Sequence, residues 1–219
     1  MRPPAGKHID MSNTTYADQV YEHILGRLLR RELRPGDVLD RRKIAGELDV
    51  SLIPVSDAVQ KLTYEGFLTT RRRHGTFVST PDLEDIRGQL LLREALECQA
   101  ARLYCGAPVQ QAQRELSSLA KAADKAASKG RQVWSEDFDF HQALVELTGC
   151  AAIIECFQRV VNLSMFHETA RISPMHQSTY DNHVTLLRDL CKTTTPDAAE
   201  ARIRAHVRTG KEAFYGAPR

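Results

Sequence analysis

The sequence predicts a mainly α-helical protein in two parts: a small N-terminal domain of helices with one β-hairpin, and a C-terminal all-α antiparallel six-helix bundle. Apolar residues recur at helical spacing over most of the chain. Strand-like alternation is confined to residues 67–79 and does not return after them. The length of 219 residues suits two small domains. We therefore predict a flexible arm at residues 1–12, a first domain at 13–80 and a second domain at 81–219.

The first domain is predicted to begin with three helices. Thr15 and Asp18 have the spacing of a capping box, which opens the first helix. Asp40 can cap a short second helix, and Ser51 can cap a third that continues to about Glu65. Only three residues separate the second helix from the third, a connection that is typical of a helix-turn-helix.

Two short strands, at residues 67–70 and 76–79, are predicted to follow the third helix. The turn between them holds five residues suited to DNA contact: Arg71, Arg72, Arg73, His74 and Gly75. Helices followed by a basic hairpin form the winged helix-turn-helix, in which the third helix fits the major groove of DNA. The hairpin can lie along phosphates or enter a minor groove. An isolated basic turn is usually only a solvated loop, but its position directly after the helix-turn-helix favours DNA binding.

Composition and charge limit the classes of function. Residues 1–80 hold 13 Lys and Arg against 10 Asp and Glu, whereas the remainder holds 17 against 18. This small positive excess in the first domain fits an anionic partner. No apolar run approaches the ~18–20 residues that cross a bilayer, and the N-terminus lacks a signal peptide, so we expect a cytoplasmic protein with no membrane partner. The five cysteines form no C-x-x-C pair, and we expect reduced thiols.

The second domain is predicted to consist of six helices, separated mainly by Gly and Pro. Their approximate bounds are residues 82–105, 108–129, 132–148, 151–171, 174–192 and 196–214. Pro108, Pro174 and Pro196 suit the first turn of a helix, and Thr195 can cap the last one.

Four side chains of the second domain are candidate metal ligands: Asp137, His141, His183 and His206. Asp137 and His141 are four residues apart, so they project from one face of a helix. Three imidazoles and a carboxylate suit zinc or nickel, and also manganese. Such a set leaves positions on the ion for a ligand or water. The spacing alone also fits a surface hydrogen bond or salt bridge between Asp137 and His141.

Residues 15–79 resemble the GntR family of regulators. Four segments carry the resemblance: LRPGDVL at 33–39, IAGELDVS at 44–51, PVSDAVQKLTYEGFL at 54–68 and RRHGTFV at 72–78. The resemblance implies a sequence-specific transcription regulator, usually a repressor. It further implies a homodimer that binds a pseudo-palindromic DNA operator.

The resemblance also implies which residues contact DNA: Arg42, Ser51, Ser56, Arg71, Arg72, Arg73, His74 and Gly75. The family's usual signature after Val-Ser is Arg-Thr-Pro-Val-Arg-Glu-Ala-Leu, whereas this chain has LIPVSDAV at 52–59. Leu52 and Ser56 thus replace two arginines that contact phosphate or bases in the family. Because arginine paired with guanine contributes ~1–3 kcal/mol to base discrimination, we expect an operator that differs from the family's commonest sequence.

The second domain resembles the FCD-type effector domain of the FadR branch of this family. The segments DFDFHQAL at 137–144, YDNHVTLL at 180–187 and AHV at 205–207 are similar to its metal motif, and six helices are typical of the smaller VanR-like members. The resemblance implies that the four candidate ligands bind a divalent metal ion and that a small organic acid effector binds beside it. In the similar segment LLREALE, Arg93 can pair with the effector's carboxylate or, alternatively, with Glu97 of its own helix.

Two other functions stay open on the sequence alone. A metal-concentration sensor would use the same ligands, with the ion itself as the signal. A metallohydrolase would use them to activate water. No further carboxylate stands out as a general base, and a DNA-binding domain would be unexplained in a hydrolase. We therefore expect a regulator and no enzyme.

Overall fold

The computed structural model describes residues 15–127, 134–167, 182–209, 211 and 214–215. The chain divides into two compact units, with the boundary between Asp82 and Leu83. The arm predicted at residues 1–12 lies outside the described residues. Among the helices that are described, none combines the length and apolar character that a bilayer span requires. All five cysteines are free thiols.

The first unit contains three helices, α1 (Tyr16–Leu29), α2 (Arg41–Glu47) and α3 (Leu52–Glu65). Its core forms where α1 packs on α3, through the buried apolar residues Val20, Ile24, Leu28, Val55, Val59 and Leu62. The predicted capping box is confirmed, because the Thr15 hydroxyl accepts from the Asp18 amide and the Asp18 carboxylate accepts from the Thr15 amide. The Asp40 carboxylate caps α2 by accepting from the amides of its first turn, as predicted.

Ser51 occupies the predicted cap position of α3 but makes no capping hydrogen bond through its side chain. A capping hydroxyl usually accepts from the amide of the second or third helical residue. The third residue here is Pro54, which has no amide proton. The predicted cap position is therefore confirmed, and Pro54 leaves the Ile53 amide as the one donor of this kind for the Ser51 hydroxyl.

A β-hairpin completes the first unit. Strands β1 (Leu68–Arg71) and β2 (Gly75–Val78) are antiparallel, and each is displaced by about one residue from its predicted bounds. Gly75 has a φ of 113°, which favours glycine over any residue with a Cβ. The loop before α2 bonds to the other edge of β2, through Leu39 N–H to the Thr76 carbonyl at 2.8 Å. These bonds fix the hairpin to the helical part of the unit.

The second unit is helical throughout its described residues, as predicted. Its helices are α4 (Leu83–Tyr104), α5 (Ala107–Gln111), α6 (Gln113–Ala127), α7 (Trp134–Glu146), α8 (Ala151–Phe166), α9 (His183–Lys192) and α10 (Pro196–Arg208). Helix α4 packs against α7, α8 and α10, while α6 packs against α7 and α9. The largest fully buried side chains of this core include Tyr104, Leu116, Phe140, Leu144 and Phe157.

Several predicted helix bounds in this unit are wrong. The segment predicted as one helix over 108–129 is divided at Ala112, and Gln110 Nε2–H of the shorter helix α5 donates to the Cys191 carbonyl of α9 at 3.0 Å. The last helix ends at Arg208 instead of 214, and in the sequence Gly210 follows its cap Thr209, a pattern typical of helix ends. Helix α8 ends at Phe166, with His167 as its cap, instead of at 171, and α9 begins at His183, after its cap Asn182, instead of at 174. The bounds predicted at 129 and 132 fall outside the described residues. Thr195 and Pro196 begin α10 as predicted.

Candidate metal centre and nucleic-acid interface

Three histidines from three helices converge in the core of the second unit. His141 lies on α7, His183 is the first residue of α9, and His206 lies on α10. One ring nitrogen of each lies within 4.8 Å of those of the other two. All three side chains are buried, and the edge of the Phe140 ring packs against His141 and His183. Three imidazoles that converge from three helices in a buried core are a donor set typical of a metal site.

Carboxylates orient two of these imidazoles. Nδ1 of His141 lies 2.5 Å from Oε2 of Glu97, a buried residue of α4. Burial alone would raise the pKa of Glu97, but His141 and Arg93 outweigh it and hold that pKa at about 2. Because an ionised carboxylate can only accept, His141 donates its Nδ1 proton, and its Nε2 carries a lone pair. Burial lowers the pKa of His141 despite the opposing effect of Glu97, which favours the neutral ring.

His183 is held by a second carboxylate, Asp124 of α6. Nδ1 of His183 donates to Asp124 Oδ1 at 2.9 Å. The same carboxylate accepts from the amides of His183 and Val184 at 2.9 and 3.1 Å, so it also caps the start of α9. Burial would lower the pKa of His183, but its bonds to Asp124 and Asp137 raise that pKa to about 9. Asp124 therefore fixes both the backbone and the ring of this histidine.

The Nε2 atom of His141 tests whether the cluster fits a metal ion. It is buried and has no hydrogen-bond partner in the described part of the chain. An unsatisfied buried polar atom costs about 1–3 kcal/mol, and native structures rarely tolerate one without a reason. A free imidazole lone pair beside two further imidazoles is a donor set that divalent cations such as zinc accept. The residues present fit the ion.

Asp137, the fourth predicted ligand, joins the cluster through His183. Its Oδ1 lies 3.0 Å from Nε2 of His183, and its Oδ2 lies 3.6 Å from Nη2 of Arg93. Burial would raise the pKa of Asp137, but the bond to His183 and the neighbouring charges lower it well below the usual value. The three histidines singled out in the sequence therefore converge, and the ionised carboxylate of Asp137 adjoins them through His183.

Arg93 is buried beside the cluster and pairs with Glu97. Its Nε donates to Glu97 Oε1 at 2.6 Å, and its guanidinium lies 5.0 Å from the centre of the Phe138 ring. Of the two roles that the sequence left open for Arg93, the pair within its own helix is therefore present. The same arginine is close enough to Asp137 to face the metal candidates as well.

Sequence reasoning missed Glu97 and Asp124 as partners of the histidines. Glu97 was considered only as a partner of Arg93, and its spacing on α4 gives no hint of His141, 44 residues away. Asp124 lies in an alanine-rich helix, 59 residues before His183. Both contacts depend on how helices pack, so no local signal in the sequence could have revealed them.

A second buried carboxylate of α4, Glu94, positions α10. It accepts from Arg204 and from Arg208, the latter through Nε and Nη2, each at 2.7 Å. These bonds fasten α10 to α4 on either side of His206 in sequence, so they help to place the third histidine.

The residues predicted to contact DNA lie on the surface of the first unit. Arg42 is exposed on α2, Ser51 is exposed at the start of α3, and Ser56 is half-buried on α3. The five wing residues, Arg71, Arg72, Arg73, His74 and Gly75, are all exposed. The guanidinium of Arg71 lies 5.3 Å from the centre of the Phe77 ring, which limits its freedom. The three arginines therefore form an exposed, positively charged patch at the tip of the hairpin.

Comparison with known families and proteins matches both units. Residues 16–78 match the model described as bacterial regulatory proteins, gntR family, and residues 90–209 match the FCD domain. The chain is 31% identical over 116 residues to the Nta operon transcriptional regulator of Aminobacter aminovorans, which covers 52% of this chain and 55% of that protein. It is 26% identical over 133 residues to the HTH-type transcriptional repressor RspR of Escherichia coli K12, covering 57% and 58%. The chain thus spans a little over half the length of these relatives.

Two solved structures share the fold. A GntR transcriptional regulator from Rhodococcus sp. RHA1 superposes with a TM-score of 0.67 at 22% identity, covering 93% of this chain and 99% of that one. The E. coli protein McbR/YncC superposes with a TM-score of 0.64 at 18% identity, covering 93% and 98%. At these identities the likeness is one of fold, and it confirms the winged helix-turn-helix and helical domain predicted from the sequence.

Proposed function

The chain belongs to the GntR family of bacterial regulatory proteins and carries an FCD domain, and we propose that it is a transcription repressor controlled by a small organic acid. In this proposal a homodimer binds a pseudo-palindromic operator through the first unit. The second unit holds a divalent metal ion, and a carboxylate-bearing metabolite bound there changes the affinity for the operator. The observation that carries the metal and effector part is the convergence of three buried histidines. One ring nitrogen of each lies within 4.8 Å of those of the other two.

The first unit supports the DNA-binding part of the proposal. Three exposed arginines on a hairpin tip supply charge for phosphates, and the start of α3 is exposed as a major-groove reader requires. The repressor named among the relatives and the matched gntR model favour repression over other uses of this surface.

The second unit supports the metal part through its orientation of ligands. His141, His183, His206 and Asp137 would hold the ion, with zinc, nickel or manganese as the candidates. Glu97 and Asp124 accept the Nδ1 protons of two histidines, which is the arrangement that fixes ring tautomers around protein metals. His183 must lose its Nε2 proton to act as a ligand. When bound, the ion would serve as a Lewis acid that attracts an anionic ligand.

Arg93 is the proposed second anchor for the effector. A carboxylate that reaches both the metal site and this guanidinium would gain charge-assisted bonds at both ends. Because Glu97 already accepts from Nε of Arg93, the effector would use the other side of the guanidinium, which faces Asp137.

Because Arg93 already pairs with Glu97, a second candidate function is also supported, a sensor of metal concentration. If Glu97 and Asp137 neutralise the guanidinium, an organic acid gains less there, and the ion alone would carry the signal. In the first candidate function an organic acid binds after the metal ion, whereas in the second no further ligand is needed. A hydrolase is not favoured, since Glu97 is engaged by both His141 and Arg93 and is poorly placed to act as a base.

Calorimetry separates the candidates. A panel of hydroxy-, keto- and sugar acids is titrated into zinc-loaded protein, into chelator-treated protein and into Arg93→Ala. An effector is expected to bind the zinc-loaded wild type and to bind the other two at least tenfold more weakly. Binding of every acid that is equal with and without zinc would contradict the proposed site. Tight zinc binding with no acid bound would support the metal sensor.

A further inference from the structure

The first turn of α3 exposes two large apolar side chains. Leu52 is 47% exposed and Ile53 is 72% exposed. A single exposed leucine on a protein surface is ordinary and needs no explanation. Two adjacent ones at the start of a recognition helix are different, because the N-terminal residues of that helix lie nearest the base edges in the major groove.

The surroundings of this turn are poorly suited to phosphate contacts. Asp49 and Asp57 lie beside Ile53 around a shallow hollow, and their carboxylates repel phosphates. The only lysine or arginine of α3 is Lys61, whose Nζ lies 4.1 Å from the centre of the Tyr21 ring on α1. The start of α3 therefore offers DNA apolar surface and little positive charge.

The major groove presents one apolar group, the 5-methyl of thymine. Leucine and isoleucine have no donor or acceptor, so they cannot read the hydrogen-bonding pattern of a base pair. They can bury a methyl group. We infer that Leu52 and Ile53 select thymine at the base positions they contact, which rests on the proposed operator binding and specifies how that binding discriminates sequence.

Uracil in place of thymine tests this inference, because it removes only the methyl group. Duplexes that bind the full-length protein are first selected from a randomised pool. Each thymine of the selected site is then replaced by uracil in turn, and Kd is measured for each duplex. We expect at least one replacement to weaken binding by about fourfold, equivalent to about 0.8 kcal/mol for one buried methyl.

The variant Leu52→Ala/Ile53→Ala completes a double-mutant cycle with the uracil duplexes. In this variant the sensitive thymine and its uracil counterpart are expected to bind equally. Tyr64→Ala is the matched control: it removes another exposed apolar side chain of α3, about 18 Å along the helix from Leu52. The control is expected to keep the fourfold preference. The Tm of both variants is measured beside that of the wild type, so that an effect on folding is separated from an effect on DNA contact.

Two results would overturn the inference while leaving operator binding intact. One is equal affinity for every uracil duplex, and the other is a uracil penalty that persists unchanged in Leu52→Ala/Ile53→Ala. Selection that enriches no sequence at all would contradict the proposed function itself, and so would remove the basis of this inference. The two failures are therefore distinguishable in one series of measurements.

Discussion

Single atoms of the second unit show how the histidine cluster is organised. Each of two rings has one nitrogen committed to a carboxylate, Glu97 for His141 and Asp124 for His183. The opposite nitrogen of His141 is left without a hydrogen-bond partner among the described residues. In a histidine that binds a metal ion, one ring nitrogen donates to a partner and the other carries the lone pair. The hydrogen bond of the first nitrogen fixes the tautomer and the orientation of the ring.

The residue pair Asp124 and Glu97 gives the first prediction. Asp124→Asn and Glu97→Gln keep an acceptor of similar size but remove the charge that strengthens the Nδ1 bond. Each is expected to weaken zinc binding by about 10–100-fold, as measured by competition with a chromophoric chelator. Asp139→Asn is the control, since it neutralises a half-buried carboxylate of α7 outside the cluster's described bonds. Equal zinc affinity in all three variants would contradict the positioning role.

The four ligand candidates could be named from the sequence, whereas their carboxylate partners could not. Asp137 and His141 share a helical face by spacing, and His183 and His206 follow from a motif. The sequence also left the role of Arg93 open. Only the packing of α4 against α7 shows that Glu97 accepts from Arg93 and His141 together.

Helices and strands were predicted well where local chemistry determines them. The capping residues Thr15, Asp40 and Thr195 each begin a helix as expected. The division at Ala112 could not be predicted, because the surrounding QQAQ contains no Gly or Pro to mark a helix end. Ser51 begins α3 as expected, although its side chain makes no capping hydrogen bond.

The wing gives a prediction at the scale of one element. Arg72→Ala/Arg73→Ala is expected to weaken binding to all DNA sequences alike and to reduce the slope of log K against log salt by about 0.9 for each phosphate that the wing no longer neutralises. Fluorescence anisotropy over a range of salt concentrations measures both effects. Arg188→Ala, which removes an exposed arginine of the second unit, should leave the slope unchanged. An unchanged slope in the wing variant would show that these arginines do not bind phosphates.

The attachment of α10 to α4 gives a second prediction at the scale of helices and strands. Glu94 is buried and accepts from two arginines, so Glu94→Gln is expected to lower the free energy of unfolding by about 1–3 kcal/mol. Glu84→Gln is a matched control on the same helix, because Glu84 is exposed and its pair with Arg87 is worth at most about 1 kcal/mol. Urea denaturation compares them. Equal stability of the two variants would mean that Glu94 does not hold α10 in place.

For the whole second unit, a bound ion would join α7 to the consecutive helices α9 and α10. His141, His183 and His206 lie on α7, α9 and α10, so the ion would cross-link the folded unit. A ligand that binds only the folded state stabilises it by RT ln(1 + [L]/Kd), ~4 kcal/mol at a thousandfold excess over Kd. A chelator is therefore expected to lower the Tm of the wild type and to leave that of His183→Ala unchanged. Equal melting of the wild type before and after verified metal removal would contradict this expectation.

The central claim is that a metal-dependent organic acid controls operator binding, and operator affinity in four states tests it most directly. Kd for the selected operator is measured with zinc-loaded and with chelator-treated protein, each in the presence and absence of the acid identified by calorimetry. We expect the acid to change Kd about 5–150-fold for the zinc-loaded protein, the usual range of coupling between sites, and to have no effect after chelation. The same change in Kd with and without zinc, or no change in either state, would contradict the claim.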